Sequence, residues 1–431
     1  MCSLKCLQRV VRVVVAYRPR VIDAVLADRL ASAGAVLIEG PKACGKTFTA
    51  EQQAASRVYL DTDDQARAAL GVDPALVLSG DPPQLVDEWQ LDATRVWNHV
   101  RAQVDRRQGT GLYILTGSAT PPDDTRRHSG AGRFARLTMR PMSLFESGDS
   151  TGEMSLAALL DGHRPTAKPT EVTVPRYAEL VVRGGWPLNL TRTVAAAARA
   201  NIDYITTITE VDLPTNDPAR RHPRLALRVL RSLARNIGMD HVVTRVAQDA
   251  STDDSAIARS TVYDYLAPLE RLMVLDPLEA WSSHLRSRVR LRTSPRVQFC
   301  DPSVAVAALR TGPHQLLADL NYFAYLFEAL VVRDLRVFAD VVDGTVQHYR
   351  DSDDLEIDAV VTAADGRWAA FEVKLGQADI DMAAANLLAF ARKVDTTKVG
   401  EPATLAVVTA TGYGYTRPDG VVVIPAATLG P

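Results

Sequence analysis

The sequence predicts an α/β protein in three successive blocks: a parallel sheet, a helical region and a second α/β domain. In the first block, short apolar stretches alternate with helical ones, as in sheets whose strands are joined by helices. In the second, apolar residues recur at helical spacing, and in the third, apolar strands return after a long helix. We place the blocks at residues 17–147, 177–300 and 315–431, with a linker or long loop at 148–175 that is rich in Gly, Pro, Ser and Thr.

The composition is that of a globular protein with enough apolar residues for a large core. Of the 431 residues, 47% are hydrophobic and 23% are charged, and the formal net charge is −2. This balance excludes a chain that is basic throughout, so any nucleic-acid contact must be local. The cysteines lack paired metal-ligand spacing, residues 1–16 lack a clean export signal, and no run reaches the ~20 apolar residues of a membrane span. We therefore expect a reduced, cytoplasmic protein with no membrane partner.

The first block contains a loop typical of triphosphate binding. A helix is predicted at residues 21–31, and strands are predicted at 35–39, 58–60, 84–86 and 112–115. The first strand runs into eight residues that match G-x-x-x-x-G-K-[ST] and that open a helix. These residues are Gly40, Pro41, Lys42, Ala43, Cys44, Gly45, Lys46 and Thr47.

The chemistry of this loop predicts ATP and Mg²⁺ as cofactors. Its glycines allow backbone N–H groups to turn inward around phosphates, and the start of the helix adds partial positive charge. Lys46 would reach the β- and γ-phosphates, and the Thr47 hydroxyl would bind Mg²⁺.

Further polar residues follow the later strands of this block. Asp87 and Glu88 end the third strand, where Asp87 would bind Mg²⁺ through water and Glu88 would polarise the attacking water. Ser118 follows the fourth strand and would either sense the γ-phosphate or form an ordinary turn. Arg133 and Arg136 are either surface residues or candidates for a phosphate-contacting arginine in the same or a neighbouring chain, so an oligomer stays open.

The order of these motifs resembles a group of prokaryotic AAA-type ATPases that carry a C-terminal domain of unknown function with a restriction-endonuclease-like core. The resemblance covers nearly the whole chain from about residue 17, and it implies an ATPase with this architecture but no particular substrate. The segments that carry it are residues 40–47, 87–90, 116–118, 132–133, 140–143, 184–187 and 263–273.

The third block places carboxylates and a lysine on adjacent elements. A long helix is predicted at residues 316–337, and strands are predicted at 357–362, 368–374 and 404–409. Strand geometry puts Glu372 and Lys374 on one face, and pairing would bring Asp358 beside them. Glu328 on the helix would point into the same site. The three carboxylates would bind Mg²⁺, and Lys374 would help generate hydroxide or stabilise the phosphorane charge.

This pattern looks like the core of the PD-(D/E)XK nucleases, which cleave phosphodiesters with the help of a divalent metal. Two other interpretations stay open. Glu-x-Lys on a half-exposed strand also forms an ordinary cross-strand salt bridge. An intact site also serves partner binding instead of cleavage.

Two arginine stripes are candidates for nucleic-acid contact. Arginines alternate strictly along residues 284–295, so a strand there would present them on one face, directly after an amphipathic helix at 261–275. This outline is typical of a winged helix whose wing contacts the phosphates of DNA or RNA. A second stripe follows helical spacing, and the alternative for both is a solvated face paired with acids. The first stripe is Arg286, Arg288, Arg290 and Arg292, and the second is Arg220, Arg224, Arg228, Arg231 and Arg235.

Two functions therefore compete. The leading hypothesis is an ATPase coupled to DNA or RNA, in which the nucleotide state controls access to the C-terminal carboxylates. The alternative is a nucleotide-dependent switch that binds a protein partner and retains the third block as a catalytically inactive scaffold.

Overall fold

A parallel sheet forms the N-terminal part of the protein, in a computed structural model that describes residues 17–117, 130–215, 222–251, 256–282 and 294–431. Its strands are β1 (Ala35–Glu39), β2 (Ser56–Tyr59), β3 (Gln84–Asp87), β4 (Tyr113–Gly117) and β5 (Phe134–Thr138). They lie in the order β2-β3-β4-β1-β5, and each neighbouring pair is parallel. Because the strands run the same way, the loop after β1 and the acids after β3 meet at one edge. The predicted parallel sheet is confirmed.

The longer helices that cover this sheet bury an apolar stripe against it. The helix Ala93–Arg107, for example, buries Val96, Trp97, Val100 and Val104, and Trp97 stacks on Phe134 of β5 with ring centroids 4.0 Å apart. The helices of this part are Ile22–Ser32, Lys46–Glu51, Asp64–Val72 and Ala93–Arg107.

The middle region is helical, as the periodicity predicts. A π-helical turn, Ile208–Asp212, interrupts it between Val194–Thr207 and Leu213–Thr215. After the last long helix, extended segments form single β-bridges, including Leu278 with Arg296. The winged-helix interpretation stays a prediction, because the four arginines of the predicted basic strand fall within residues 283–293, outside the described residues. The other helices here are Val174–Arg183, Pro223–Arg235, Val243–Ala250, Arg259–Arg271 and Pro302–Leu309.

The C-terminal part contains a second, mixed sheet. Its strands are β7 (Thr345–Arg350), β8 (Glu356–Thr362), β9 (Trp368–Lys374), β10 (Thr404–Thr409), β11 (Tyr415–Thr416) and β12 (Val422–Pro425). Within the described residues they lie in the order β11-β12-β10-β9-β8-β7, antiparallel from β7 to β9 and parallel from β9 to β12. The helices Leu320–Ala339 and Ile380–Lys393 pack on this sheet. Among the described helices, none is both long and apolar enough to cross a bilayer.

Two sequence expectations are wrong in detail. The single helix predicted at 316–337 is two helices, Pro313–Ala318 and Leu320–Ala339, because the Asp319 side chain accepts a hydrogen bond from the Tyr322 amide and starts the second helix. The segment predicted as a linker contains a strand, β6 (Met154–Ser155), and a short helix. The strand β6 pairs with the chain's last strand, β13 (Leu429–Gly430), so this segment packs on the C-terminal part.

A buried ion network joins the three parts of the chain. The Arg333 guanidinium lies 2.7 Å from Asp301 and 2.6 Å from Asp334, and all three residues are buried. The Asp301 carboxylate also accepts from the Gly185 amide, and the Asp334 carboxylate accepts from the Leu144 amide, each at 3.0 Å. The network therefore fixes the helical region and the end of the N-terminal part against the C-terminal helix.

Replacing Arg333 by methionine is expected to destabilise the fold strongly. The substitution leaves two buried carboxylates without their cation, which typically costs about 3–5 kcal/mol. Chemical denaturation followed by circular dichroism measures the loss. The matched control is Arg367→Met, because Arg367 forms its ion pairs at the surface and its removal is expected to leave the midpoint unchanged. Equal midpoints for the wild type and Arg333→Met would contradict this prediction.

Candidate functional site

The phosphate loop after β1 is held in a conformation that depends on its glycines. Gly45 has a φ of 109°, in the left-handed region that favours glycine. At Gly40, a Cβ atom would lie 2.2 Å from the Met139 carbonyl oxygen, so a side chain would push β5 away from the loop. The sequence motif and the packing against β5 thus both require glycine at position 40.

The Lys46 side chain folds back across this loop and is buried. Its Nζ donates to the carbonyl oxygens of Gly40 and Pro41, at 2.8 Å each. The ammonium group therefore lies inside the ring of backbone that would surround a phosphate, where phosphate oxygens would take over these hydrogen bonds.

Asp87 is fixed by hydroxyl groups from two neighbouring elements. Thr47 Oγ1 lies 3.0 and 3.2 Å from the two carboxylate oxygens, and Thr116 Oγ1 on β4 also donates to Asp87. Burial raises the pKa of Asp87, and the hydroxyl donors of Thr116 and Thr47 oppose that rise. Thr116 was missed as a site residue, although the register that places it opposite Asp87 follows from the pairing of β3 with β4.

The oxygen atoms of Thr47 and Asp87 suit Mg²⁺. This cation prefers hard oxygen ligands and binds through one or two protein groups, with phosphates and water completing its shell. The Thr47 hydroxyl and the Asp87 carboxylate lie together at the edge of the loop and fit that requirement.

Glu88 has an unusual backbone for a glutamate. Its φ of 52° lies in the left-handed region, a conformation that costs roughly 1–3 kcal/mol and that clusters at functional sites. The side-chain amide of Gln90 donates a hydrogen bond to the Glu88 Oε2 atom. The Glu88 residue lines the cavity beside the phosphate loop.

An apolar cavity of about 280 Å³ adjoins the loop. It is walled by Tyr17 and Phe48 on one side and by Pro187 and Leu188 on the other. A backbone hydrogen bond fixes the second wall, because the Met142 amide donates to the Gly185 carbonyl oxygen at 2.7 Å. The size and lining suit a planar base next to the phosphates.

Arg20, which no sequence motif marks, is hydrogen-bonded to the phosphate loop. It is buried, and its Nη1 donates to the Cys44 carbonyl oxygen at 2.9 Å. Its Nε pairs with Glu146 at 2.9 Å, and its Nη2 donates to the Arg140 carbonyl oxygen at 2.8 Å. One side chain thus joins the phosphate loop to the segment that follows β5.

The phosphate loop also contacts the middle region through an ion pair. Lys42 Nζ lies 2.6 Å from the Asp212 carboxylate, which ends the π-helical turn. The Asp212 side chain is buried, whereas that of Lys42 is 41% exposed. π-Helical turns inside helices frequently occur at functional sites.

The remaining N-terminal candidates are less informative. Ser118 lies outside the described residues. Arg133 pairs with Asp105 at 2.6 Å, and Arg136 pairs with Glu39 at 3.1 Å. Both arginines are therefore engaged by acids of their own domain, and their role toward a neighbouring chain stays a prediction.

The C-terminal candidates gather where β8 and β9 pair. Asp358 lies on β8, and Glu372 and Lys374 lie on β9. Lys374 Nζ is 2.5 Å from Glu372 and 3.5 Å from Asp358. Glu328, on the helix Leu320–Ala339, is buried at the same place. A cavity of about 710 Å³ lies beside these groups.

Arg296 occupies the centre of this cluster and was missed by the sequence pattern. Its Nη1 lies 3.4 Å from Glu328 and 3.6 Å from Asp358, and its Nη2 lies 2.8 Å from Glu356. Only 4% of its side chain is exposed. No motif marks this residue, because it follows the arginine stripe in sequence and reaches the carboxylates only in the folded chain.

The carboxylates do not fit a divalent metal in this arrangement. Burial raises the pKa of Glu328 and of Glu372 well above the usual range, and the charge of Asp358 adds to both shifts. The point that Glu328 and Asp358 share is occupied by the Arg296 guanidinium, and Glu372 is paired with Lys374. In the described parts of the chain, no three His, Cys, Asp or Glu side chains form a group able to hold a metal ion.

The structure describes most of the second arginine stripe and none of the first. Arg286, Arg288, Arg290 and Arg292 lie outside the described residues, as does Arg220. Arg224, Arg228, Arg231 and Arg235 lie on the helix Pro223–Arg235, where Arg228 is half-buried and the others are exposed. Nucleic-acid contact stays a prediction for both.

Comparisons with known proteins agree with the N-terminal geometry. Residues 32–147 match a family described as an AAA domain, which makes this part an AAA-type P-loop domain and supports ATP binding. Residues 174–315 and 324–429 match domains of unknown function, DUF8612 and DUF4143. A comparison with curated protein sequences found no match.

Two solved structures are similar in part. The Walker-type ATPase PABY2304 of Pyrococcus abyssi has 14% identity and a TM-score of 0.40, over 68% of this chain and 99% of that one. PCH-2 of C. elegans has 14% identity and a TM-score of 0.17, over 33% of this chain and 44% of that one. The N-terminal part of the chain thus matches an AAA domain, and its later parts match families without an assigned function.

Proposed function

We propose that this protein is a magnesium-dependent ATPase that acts as a nucleotide-controlled switch. The observation that carries the proposal is the contact of Thr47, Asp87 and Thr116 at the phosphate loop, with Glu88 beside it. This arrangement supplies phosphate donors, oxygen ligands for Mg²⁺ and a carboxylate for water, which are the parts that ATP hydrolysis needs.

The residues suggest how the reaction proceeds. Lys46 and the loop amides bind the β- and γ-phosphates, and Thr47 and Asp87 would hold Mg²⁺, which would neutralise phosphate charge when bound. Glu88 accepts a proton from a water molecule, the water oxygen attacks the γ-phosphorus, and the bond to the β–γ bridging oxygen breaks. The products are ADP, phosphate and a proton, so neither oxidant nor co-substrate other than water is needed.

The ion pair of Lys42 with Asp212 supports a switch. Lys42 belongs to the phosphate loop, so a bound triphosphate competes with Asp212 for its ammonium group. Loss of this pair would release the π-helical turn and change the packing of the middle region. We propose this exchange as the route by which nucleotide state reaches the rest of the chain.

For the C-terminal part, the geometry favours a nuclease-like scaffold over an active nuclease. Cleavage was the leading sequence hypothesis, and the meeting of Glu328, Asp358, Glu372 and Lys374 supports a nuclease-like ancestry. The position of Arg296 among the carboxylates opposes metal-dependent cleavage. Partner binding at this part, to protein or to nucleic acid, is therefore the proposed output of the switch.

Two substitutions separate nucleotide binding from hydrolysis. Lys46→Ala is expected to abolish ATP binding in calorimetry with Mg²⁺ present, because the loop loses the buried ammonium group that would bind the β- and γ-phosphates. Glu88→Gln is expected to retain affinity and to lower kcat by about 10²–10⁴-fold, the usual contribution of a general base. Glu401→Gln, at an exposed position far along the chain, is the control. Unchanged turnover in both active-site variants would refute the ATPase assignment.

The Lys42–Asp212 pair is tested by Asp212→Asn. Freeing the Lys42 ammonium for phosphate is expected to tighten ATP binding up to ~5-fold, which is the scale of a partly exposed ion pair. The variant is also expected to lose any ATP-dependent change in limited proteolysis of the middle region. Glu210→Gln, on the same turn but exposed, is the matched control. If Asp212→Asn and Glu210→Gln behave alike in both assays, the pair does not couple the two parts.

Nuclease activity has a direct test. The wild type is incubated with plasmid or RNA and Mg²⁺ or Mn²⁺, with and without ATP. We expect no cleavage, because Arg296 and Lys374 hold the carboxylates that a metal would need. Cleavage that is lost in Asp358→Ala would restore the active-nuclease hypothesis and would contradict the scaffold proposal.

A further inference from the structure

Arg296 is the cation around which the C-terminal carboxylates are arranged. Its guanidinium contacts Glu328 from the helix Leu320–Ala339, and it contacts Glu356 and Asp358 from β8. A buried guanidinium is stable only when acids surround it. Buried carboxylates in turn are stable only when a cation lies near them. The arginine and the acids therefore satisfy each other inside the protein.

The main chain delivers Arg296 from the middle region. The Arg296 amide donates to the Leu278 carbonyl oxygen at 2.9 Å, and the Leu278 amide donates back to Arg296 at 3.1 Å. The next residue, Val297, is hydrogen-bonded to Gly238 and Met239, at 2.8 Å each. Four backbone hydrogen bonds thus hold the guanidinium at a site whose acids belong to a different part of the chain.

We propose that Arg296 takes the place of a divalent metal ion in the C-terminal carboxylate cluster, so that this unit holds its shape without a metal. The proposal rests on the nuclease-like interpretation of the C-terminal part given above. It does not depend on ATP hydrolysis.

The charges of the site support this assignment. A metal ion such as Mn²⁺ requires ionised oxygens that converge on one point, at the short distances typical of hard cations. Here the Arg296 nitrogens already lie between the Glu328 and Asp358 oxygens, and a metal at that point would be repelled by the guanidinium. Lys374 holds Glu372 in the same way at 2.5 Å.

The assignment predicts that removing Arg296 creates a metal site. In Arg296→Gln, Glu328 and Asp358 lose their cation while their positions are kept by the helix and by β8. Mn²⁺ titrated into nucleotide-free protein, followed by electron paramagnetic resonance, is expected to bind with a stoichiometry of one, at least ~100-fold more tightly than to the wild type. Adding Asp358→Asn to this variant is expected to remove the new binding.

A matched control lies in the same cavity. Arg350 contacts Glu356 at 3.1 Å and Asp240 at 2.8 Å, away from Glu328. Arg350→Gln removes the same charge at the cavity rim and is expected to leave Mn²⁺ binding at the wild-type level. Equal Mn²⁺ affinity in the two folded variants, as judged by circular dichroism, would overturn the proposal.

A second measurement starts from the wild type and does not depend on whether the Arg296 variant folds. Nucleotide-free wild type is expected to show no saturable Mn²⁺ binding that depends on Asp358. Tight Mn²⁺ binding to the wild type that is lost in Asp358→Asn would overturn the proposal. Because no nucleotide is present, either result leaves the ATPase assignment to be judged by the Lys46 and Glu88 variants alone.

Discussion

The architecture depends on the buried pairing of Arg333 with Asp301 and Asp334. The two carboxylates also accept backbone amides from the end of the N-terminal part and from the helical region, so one guanidinium anchors three distant segments. Charged groups inside a protein are tolerated only when all of their partners are in place. This constraint fixes the helical region against both α/β parts, and the largest apolar core of the described residues runs across the same junction.

The nucleotide site lies on that junction and draws on more than its own domain. The sheet supplies the loop, Asp87 and Glu88, whereas Pro187 and Leu188 of the helical region form one wall of the adjoining cavity. Arg20, which is paired with Glu146, donates a hydrogen bond to the loop at Cys44. A triphosphate that changes the loop would therefore also change its contacts with the other parts of the chain. These contacts are the physical basis of the proposed switch.

The C-terminal part illustrates how a residue pattern and a site differ. Asp358, Glu372 and Lys374 satisfy the spacing of a nuclease-like core, and folding does bring them together with Glu328. The chemistry of the cluster is nevertheless set by Arg296, which supplies positive charge where a metal would otherwise bind. The same acids thus support cleavage in one setting and a stable ionic scaffold in another.

The sequence by itself determined the features that are written in consecutive residues. The phosphate loop, the acid pair Asp87–Glu88, the strands β1 to β4 and the strands β8 to β10 follow from local pattern, because backbone geometry repeats every two or 3.6 residues. The strands β5, β7, β11 and β12 were not predicted. The structure alone decided which distant side chains meet: Thr116 with Asp87, Lys42 with Asp212, and Arg296 with its carboxylates. No local pattern encodes such contacts, because they form only when separate elements pack against one another. That packing depends on the whole buried core.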